Sequence, residues 1–131
     1  MAELFSSEWM SKFAEAWNAE PALANELAKI GFNSNVAYGF LEEEKPRGVL
    51  VIVNGKAKEG RSYDGQVLNW DLRASQEDWG KWAKKPPGLM GLGMAYTSRK
   101  LRFKIGDYGA MIKDPRMAGP FIKSFDVMGR V

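Results

Sequence analysis

The chain contains no cysteine and no histidine. Without cysteine there are no disulfides, no thiolate nucleophile and no thiolate metal ligands. Without histidine, Ser-His-Asp and Cys-His catalysis are excluded, and the commonest zinc ligand is missing. Acid–base chemistry would fall to carboxylates, lysines or tyrosines. No pair of these has the spacing of a general acid and base, so the expectation is a protein without catalysis, cofactor or metal. Long hydrophobic runs are also absent. The longest, Val49-Leu50-Val51-Ile52-Val53, is far too short to cross a bilayer. The N-terminus, Met1-Ala2-Glu3-Leu4-Phe5-Ser6-Ser7-Glu8, has no basic head before an apolar stretch and reads as no signal peptide; a cytoplasmic location is expected. The net charge is +3, with Lys and Arg spread along the chain and interleaved with acids. That distribution argues against nucleic-acid binding, which shows a dense basic cluster.

What remains is a chain of 131 residues with five Trp, seven Phe and seven Met. The length suits one domain, residues 1–131, with one core. Ser6-Ser7-Glu8 opens a helix in which Trp9, Phe13 and Trp17 recur every fourth residue. Pro21 suits the first turn of a second helix and Gly31 its stop. From Phe32 the period changes to two, placing Phe32, Val36, Tyr38 and Phe40 on one face. Gly48–Val53 is apolar on both faces and reads as an inner strand. Asn54-Gly55 signals a hairpin, and the polar stretch from Lys56 to Tyr63 reads as a ragged strand or loop. Leu68, Trp70 and Leu72 alternate with Asn69, Asp71 and Arg73, which predicts one buried face and leaves Asp71 and Arg73 as an exposed pair. Ser75 caps a helix carrying Trp79 and Trp82. Gly88–Tyr96 reads as helical despite its glycines. Leu101, Phe103 and Ile105 alternate with Lys100, Arg102 and Lys104 in a strand, and two helical pieces follow, near Tyr108–Lys113 and Pro115–Gly129. The order of elements predicts an α+β fold.

The second half carries a more specific resemblance. A strand ending in Asp71-Leu72-Arg73-Ala74-Ser75 leads to a capped helix with tryptophans and then to a short apolar helix. Arg99-Lys100-Leu101-Arg102-Phe103-Lys104-Ile105-Gly106-Asp107 then precedes a terminal apolar helix. In this order and spacing the chain resembles the sterol-carrier-protein-2 (SCP2) family. The resemblance implies a twisted, mostly antiparallel five-stranded sheet covered by helices, with an internal apolar tunnel. It implies non-catalytic binding of a lipid or other hydrophobic small molecule, such as a fatty acid, acyl-CoA or sterol-like compound. The C-terminus, Met128-Gly129-Arg130-Val131, carries no peroxisomal address, which fits a free-standing member.

The resemblance and the apolar patterning together nominate the cavity lining: Leu72, Trp82, Leu89, Met90, Leu92 and Met94 from the middle of the chain. Leu101, Phe103, Met117, Phe121 and Phe125 complete it. The bulk of the aromatic and methionine side chains points the same way, since a domain this small has little room to pack them all in one solid core. Tyr38, Tyr63 and Tyr96 are candidates to meet a ligand's polar end. Glu77 and Asp78 read as dipole-stabilising residues and Asp107 as a cap. Lys100, Arg102 and Lys104, extended by Lys81, Lys84 and Lys85, form a basic stripe suited to transient contact with an anionic membrane surface. The alternative expectation is an accessory protein that contacts an enzyme of hydrophobic-compound metabolism through apolar helices.

Overall fold

A computed structural model describes residues 3–131; Met1 and Ala2, part of the N-terminal stretch read above, lie outside the described residues. Five strands form one sheet: β1 (Ser34–Phe40), β2 (Gly48–Val53), β3 (Lys56–Ser62), β4 (Trp70–Ala74) and β5 (Arg102–Ile105). Their order is β3-β2-β1-β4-β5. All neighbours pair antiparallel except β1 and β4, which run parallel. Six helices accompany them: α1 (Ser7–Asn18), α2 (Pro21–Lys29), α3 (Gln76–Lys84), α4 (Gly88–Thr97), α5 (Tyr108–Lys113) and α6 (Pro115–Met128). This is the α+β architecture that the order of elements predicts.

Local chemistry sets most element boundaries. Ser6, Ser75, Asp107 and Asp114 each accept a backbone N–H in the first turn of the helix they precede, at 3.0–3.2 Å. Each satisfies a donor that the helix itself cannot. Asn54 and Gly55 both take positive φ, as a two-residue hairpin between β2 and β3 requires. The stretch read as a ragged strand or loop is an edge strand, with a register irregularity between Val51 and Ile52 of its partner. Leu68 lies ahead of β4, so that strand is shorter than its alternation suggests.

Cross-strand register keeps even-numbered side chains together. Val36 lies opposite Leu50 and Trp70, Tyr38 opposite Leu72, and Phe40 opposite Ala74. This face is buried in one cluster with Trp9, Phe13 and Trp17 of α1, Leu23 and Leu27 of α2, Trp79 of α3 and Phe125 of α6. Its rings meet mostly edge to face. Phe5 touches Trp9 and Trp79 at 5.3 and 5.1 Å, and Trp79 touches Trp82 at 5.4 Å. Two of the three buried indoles find backbone acceptors: Trp17 donates to the Gly55 carbonyl at 2.9 Å and Trp79 to the Gly39 carbonyl at 2.8 Å. The aromatic content therefore fills the interior rather than surrounding a hollow, because offset and T-shaped packing lets rings interlock.

Helix α1 lies directly on β3. A methyl group at Gly60 would sit 2.0 Å from the Met10 carbonyl oxygen, a contact that no side-chain rotation relieves. Gly60→Ala is therefore expected to cost about 1–3 kcal/mol of stability through overpacking, measured by urea denaturation. A neutral change would show that α1 is free to shift.

The odd-numbered face is covered in part, over β1 and β4. Asp71 and Arg73, expected to be an exposed pair, are 4% and 1% exposed. The segment between β1 and β2 folds over them and supplies the Glu43 and Glu44 carbonyls to the guanidinium, alongside the Phe40 carbonyl at the end of β1. A strand with one buried face was the wrong pattern for β4, which is flanked by strands on both sides and covered above and below.

Candidate functional site

The helix-covered face of the sheet does not close completely. Between it and the pairing of α2 with α6 lies an apolar crevice of about 50 Å³. Val36 and Tyr38 of β1 and Leu72 of β4 form its floor, with Phe32 and Trp70 toward the open end. Trp17, Leu23 and Leu27 form one wall. Met111 of α5 and Met117, Pro120, Phe121 and Ser124 of α6 form the other. The α6 residues recur at three- and four-residue spacing, so one helix face covers the crevice. A dry cavity of about 150 Å³ accepts benzene, so this space is too small for an alkyl chain as it stands. The internal apolar tunnel that the resemblance implied is not seen; a narrow, partly open cleft takes its place.

Two of the lining residues, Tyr38 and Ser124, carry hydroxyls. Ser124 donates to the Phe121 carbonyl at 2.5 Å, which settles its hydrogen. Tyr38 is buried among Phe5, Phe13 and Trp79, and burial pushes its hydroxyl well above the ordinary phenol range. It stays neutral because an ionised phenolate there would lose its hydration. Of the three tyrosines considered from sequence, Tyr38 is the one on the crevice. Tyr96 stacks on Tyr108 at 4.1 Å, and Tyr63 is not among the lining residues.

The raised Tyr38 value makes a directional statement about stability. The folded state holds the phenolic proton more tightly than the unfolded chain, so the benefit is complete below about pH 10 and is lost as pH rises past it. Stability is expected to fall by up to about 1.4 kcal/mol per pH unit above pH 10 from this group alone. Tyr38→Phe should flatten that alkaline slope. Equal slopes in the two proteins, followed by urea titration between pH 9 and about 11.5, would remove Tyr38 from the account.

At its outer end the crevice opens into a shallow basin shared with Phe32, Trp70, Met111 and Met117. Asn33, Ser34, Asn69, Asp107 and Asp114 supply the polar rim. No basic side chain lines it. Asp114 is held below the usual carboxylate range by the Arg116 guanidinium and backbone N–H, so it carries charge at neutral pH. Asp107 and Asp114 both act as helix caps. Among the described residues, no group of three or more Asp, Glu, His or Cys is placed to hold a metal ion.

Of the eleven side chains nominated from sequence, the structure brings Leu72, Met117 and Phe121 together on the crevice. Leu92, Leu101 and Phe125 are buried in the adjoining core, with Trp82 and Phe103 half-buried against it. Leu89, Met90 and Met94 lie elsewhere, exposed on α4. Sequence reasoning placed Trp17 and Val36 on apolar faces without nominating them, and named none of Leu27, Met111, Pro120 and Ser124. Apolar periodicity marks all these faces alike, so only the partner element shows which of them borders a gap.

This is a mixed sheet with a helical cover and an apolar cleft between the two layers. No known protein family matches the chain by sequence, and no curated protein matches it either. Solved structures do share its architecture. The crystal structure of sterol carrier protein 2 superposes with a TM-score of 0.77 at 18% identity, covering 98% of this chain and 99% of that one. The solution structure of a conserved hypothetical protein from Thermus thermophilus, described as possibly a sterol carrier protein, gives 0.72 at 16% identity, over 98% and 89%. The ubiquinone synthesis protein UbiJ-SCP2 gives 0.59 at 12% identity, over 93% and 88%. The chain thus has the SCP2-like fold, the architecture that the resemblance implied.

Proposed function

We propose that the protein binds a neutral apolar small molecule between its sheet and the α2–α6 cover, and carries it without chemical change. The observation that carries this reading is the crevice itself, an opening in an otherwise filled core, walled by hydrocarbon and aromatic side chains. Each CH₂ moved there from water contributes about 0.8 kcal/mol. Uptake requires the cover to part, and Pro120 inside α6 marks where it does so most readily. Proline has no N–H for the carbonyl four residues earlier, so the helix is weakest at that turn. The fold shared with sterol carrier protein 2 agrees with a carrier role.

The rim narrows the ligand class. Arg116 pairs with Asp114, while Asp107, also at the basin, meets no basic side chain among the described residues, so an alcohol, ketone or ester head fits better there than a carboxylate or phosphate. Tyr38, on the crevice floor, offers a neutral phenol to the buried part of the ligand. Asp71 is engaged by Arg73 through both oxygens and Asp107 accepts from the Ala110 amide, so both carboxylates have structural work.

The experiment is solvent extraction of the purified protein with mass spectrometry of what co-purifies, followed by displacement of a fluorescent sterol or alkyl-alcohol analogue. Binding of neutral amphiphiles in preference to the fatty acid of equal chain length is the expected result. A folded sample that takes up none of them would refute the carrier reading. A second reading draws on the likeness to the ubiquinone synthesis protein: a domain that holds an apolar substrate for an enzyme partner. A stable complex with such an enzyme, needed for turnover, would favour it over free transfer.

A further inference from the structure

Helix α4 has a composition that its position does not explain. In ten residues, Gly88–Thr97, it carries no charged side chain. Leu92 and Ala95 anchor it to the core, yet Met90, Met94 and Leu89 are 82%, 71% and 56% exposed. Met90 and Met94 lie one turn apart beside Gly93 and Thr97, lining one shallow surface groove. Large apolar side chains exposed together on a helix mark an interaction surface.

The charge around this helix identifies the partner. The segment from Trp79 to Gly106 holds seven of the chain's nineteen basic residues and none of its sixteen acidic ones. The interleaving of signs seen in the rest of the chain breaks down here, and the remainder is net acidic. Lys84 and Lys85 are exposed just before α4, and Arg99 and Lys100 just after it, so cations bracket the apolar face at both ends. Tyr96, partly exposed and stacked on Tyr108, adds an amphipathic ring of the kind favoured at headgroup depth. Among the described residues, no helix is long and apolar enough to span a membrane.

We infer that α4 docks the protein onto an anionic lipid bilayer, with Leu89, Met90 and Met94 sinking among the acyl chains. Lys84, Lys85, Arg99 and Lys100 meet the phosphates around them. An interfacial helix gains from both apolar burial and attraction to anionic lipid. A nucleic acid would use the cations and leave the methionines without a role. This goes beyond the crevice reading and does not rest on it: the docking helix and the crevice share no lining residue.

Flotation of the full chain with phosphatidylcholine vesicles, with and without phosphatidylglycerol, tests the inference. Binding is expected only with phosphatidylglycerol, weakening as salt is raised. Met90→Ser/Met94→Ser should reduce it roughly tenfold or more without changing thermal unfolding, since both side chains are exposed. Lys84→Gln and Lys100→Gln should each reduce it about fivefold. Absence of vesicle binding would overturn the proposal. So would binding that ignores the methionine pair, or a methionine-dependent dimer that excludes vesicles, or capture of duplex DNA in place of lipid. Ligand displacement from the crevice is read separately, so failure of either proposal leaves the other's result intact.

Discussion

Arg73→Ala is expected to lower the unfolding free energy by about 3–5 kcal/mol, a large share of a small domain's total of about 5–15 kcal/mol. The guanidinium has five N–H donors, and each has an acceptor here. Nε donates to Asp71 Oδ1 at 2.7 Å and one NH2 hydrogen to Asp71 Oδ2 at 3.1 Å. The others reach the carbonyls of Phe40, Glu43 and Glu44 at 3.2, 2.7 and 3.2 Å. Truncation would leave the Asp71 carboxylate buried without its partner and three carbonyls without their donor. Arg73→Lys should recover little, because an ammonium cannot reproduce the planar fork. Asp71→Leu/Arg73→Met should recover much of the loss, since it removes both charges together. Urea denaturation of the three variants decides the matter. A loss below about 1 kcal/mol for Arg73→Ala would mean that the pair behaves as an exposed one.

Ser124→Met is expected to weaken ligand binding roughly tenfold or more while leaving the fold intact. Ser124 is buried on the α6 face that closes the crevice. Methionine adds apolar volume at the gap, and its flexible chain adapts where a ring would clash. The side chain would thus occupy the space that a ligand needs, at a stability cost of at most about 1–3 kcal/mol. The control is Met90→Ser/Met94→Ser, on a surface groove that shares no lining residue with the crevice, which should leave soluble-ligand affinity unchanged. Displacement of a fluorescent analogue gives both numbers. Unaltered affinity in Ser124→Met would place the ligand elsewhere on the molecule.

Much of the fold was legible in the sequence because its signals are local. Ser6 and Ser75 announce helices through hydrogen bonds that span three residues, and Asn54-Gly55 announces a hairpin through backbone conformation alone. Arg73 shows where such reading stops. Alternation in β4 marks Asp71 and Arg73 as outward, which is correct in direction and wrong in exposure. Their cover is the charged segment Leu41–Arg47, whose contribution is carbonyl oxygens that no side-chain pattern reveals. The crevice was legible only in part for a related reason. Leu72, Met117 and Phe121 stood out, whereas Trp17 and Leu27 look like any core residue until α6 is seen to leave a gap beside them. The abundance of rings suggested a hollow, and edge-to-face packing around Trp79 fills it. The methionines of α4 were read as lining because they are apolar. Their exposure depends on which face Leu92 and Ala95 bury, and composition does not carry that information.

The central claim, that an apolar ligand enters between the sheet and α6, is tested most directly by methyl NMR. With its methionines methyl-labelled, the protein carries seven reporters, six of them among the described residues: Met111 and Met117 stand at the crevice, Met10 and Met128 in the surrounding core, and Met90 and Met94 on α4. Titration with dodecanol, without vesicles, is predicted to shift Met111 and Met117 most and to leave Met90 and Met94 in place. Shifts confined to Met90 and Met94, or no shift at any methionine, would contradict it.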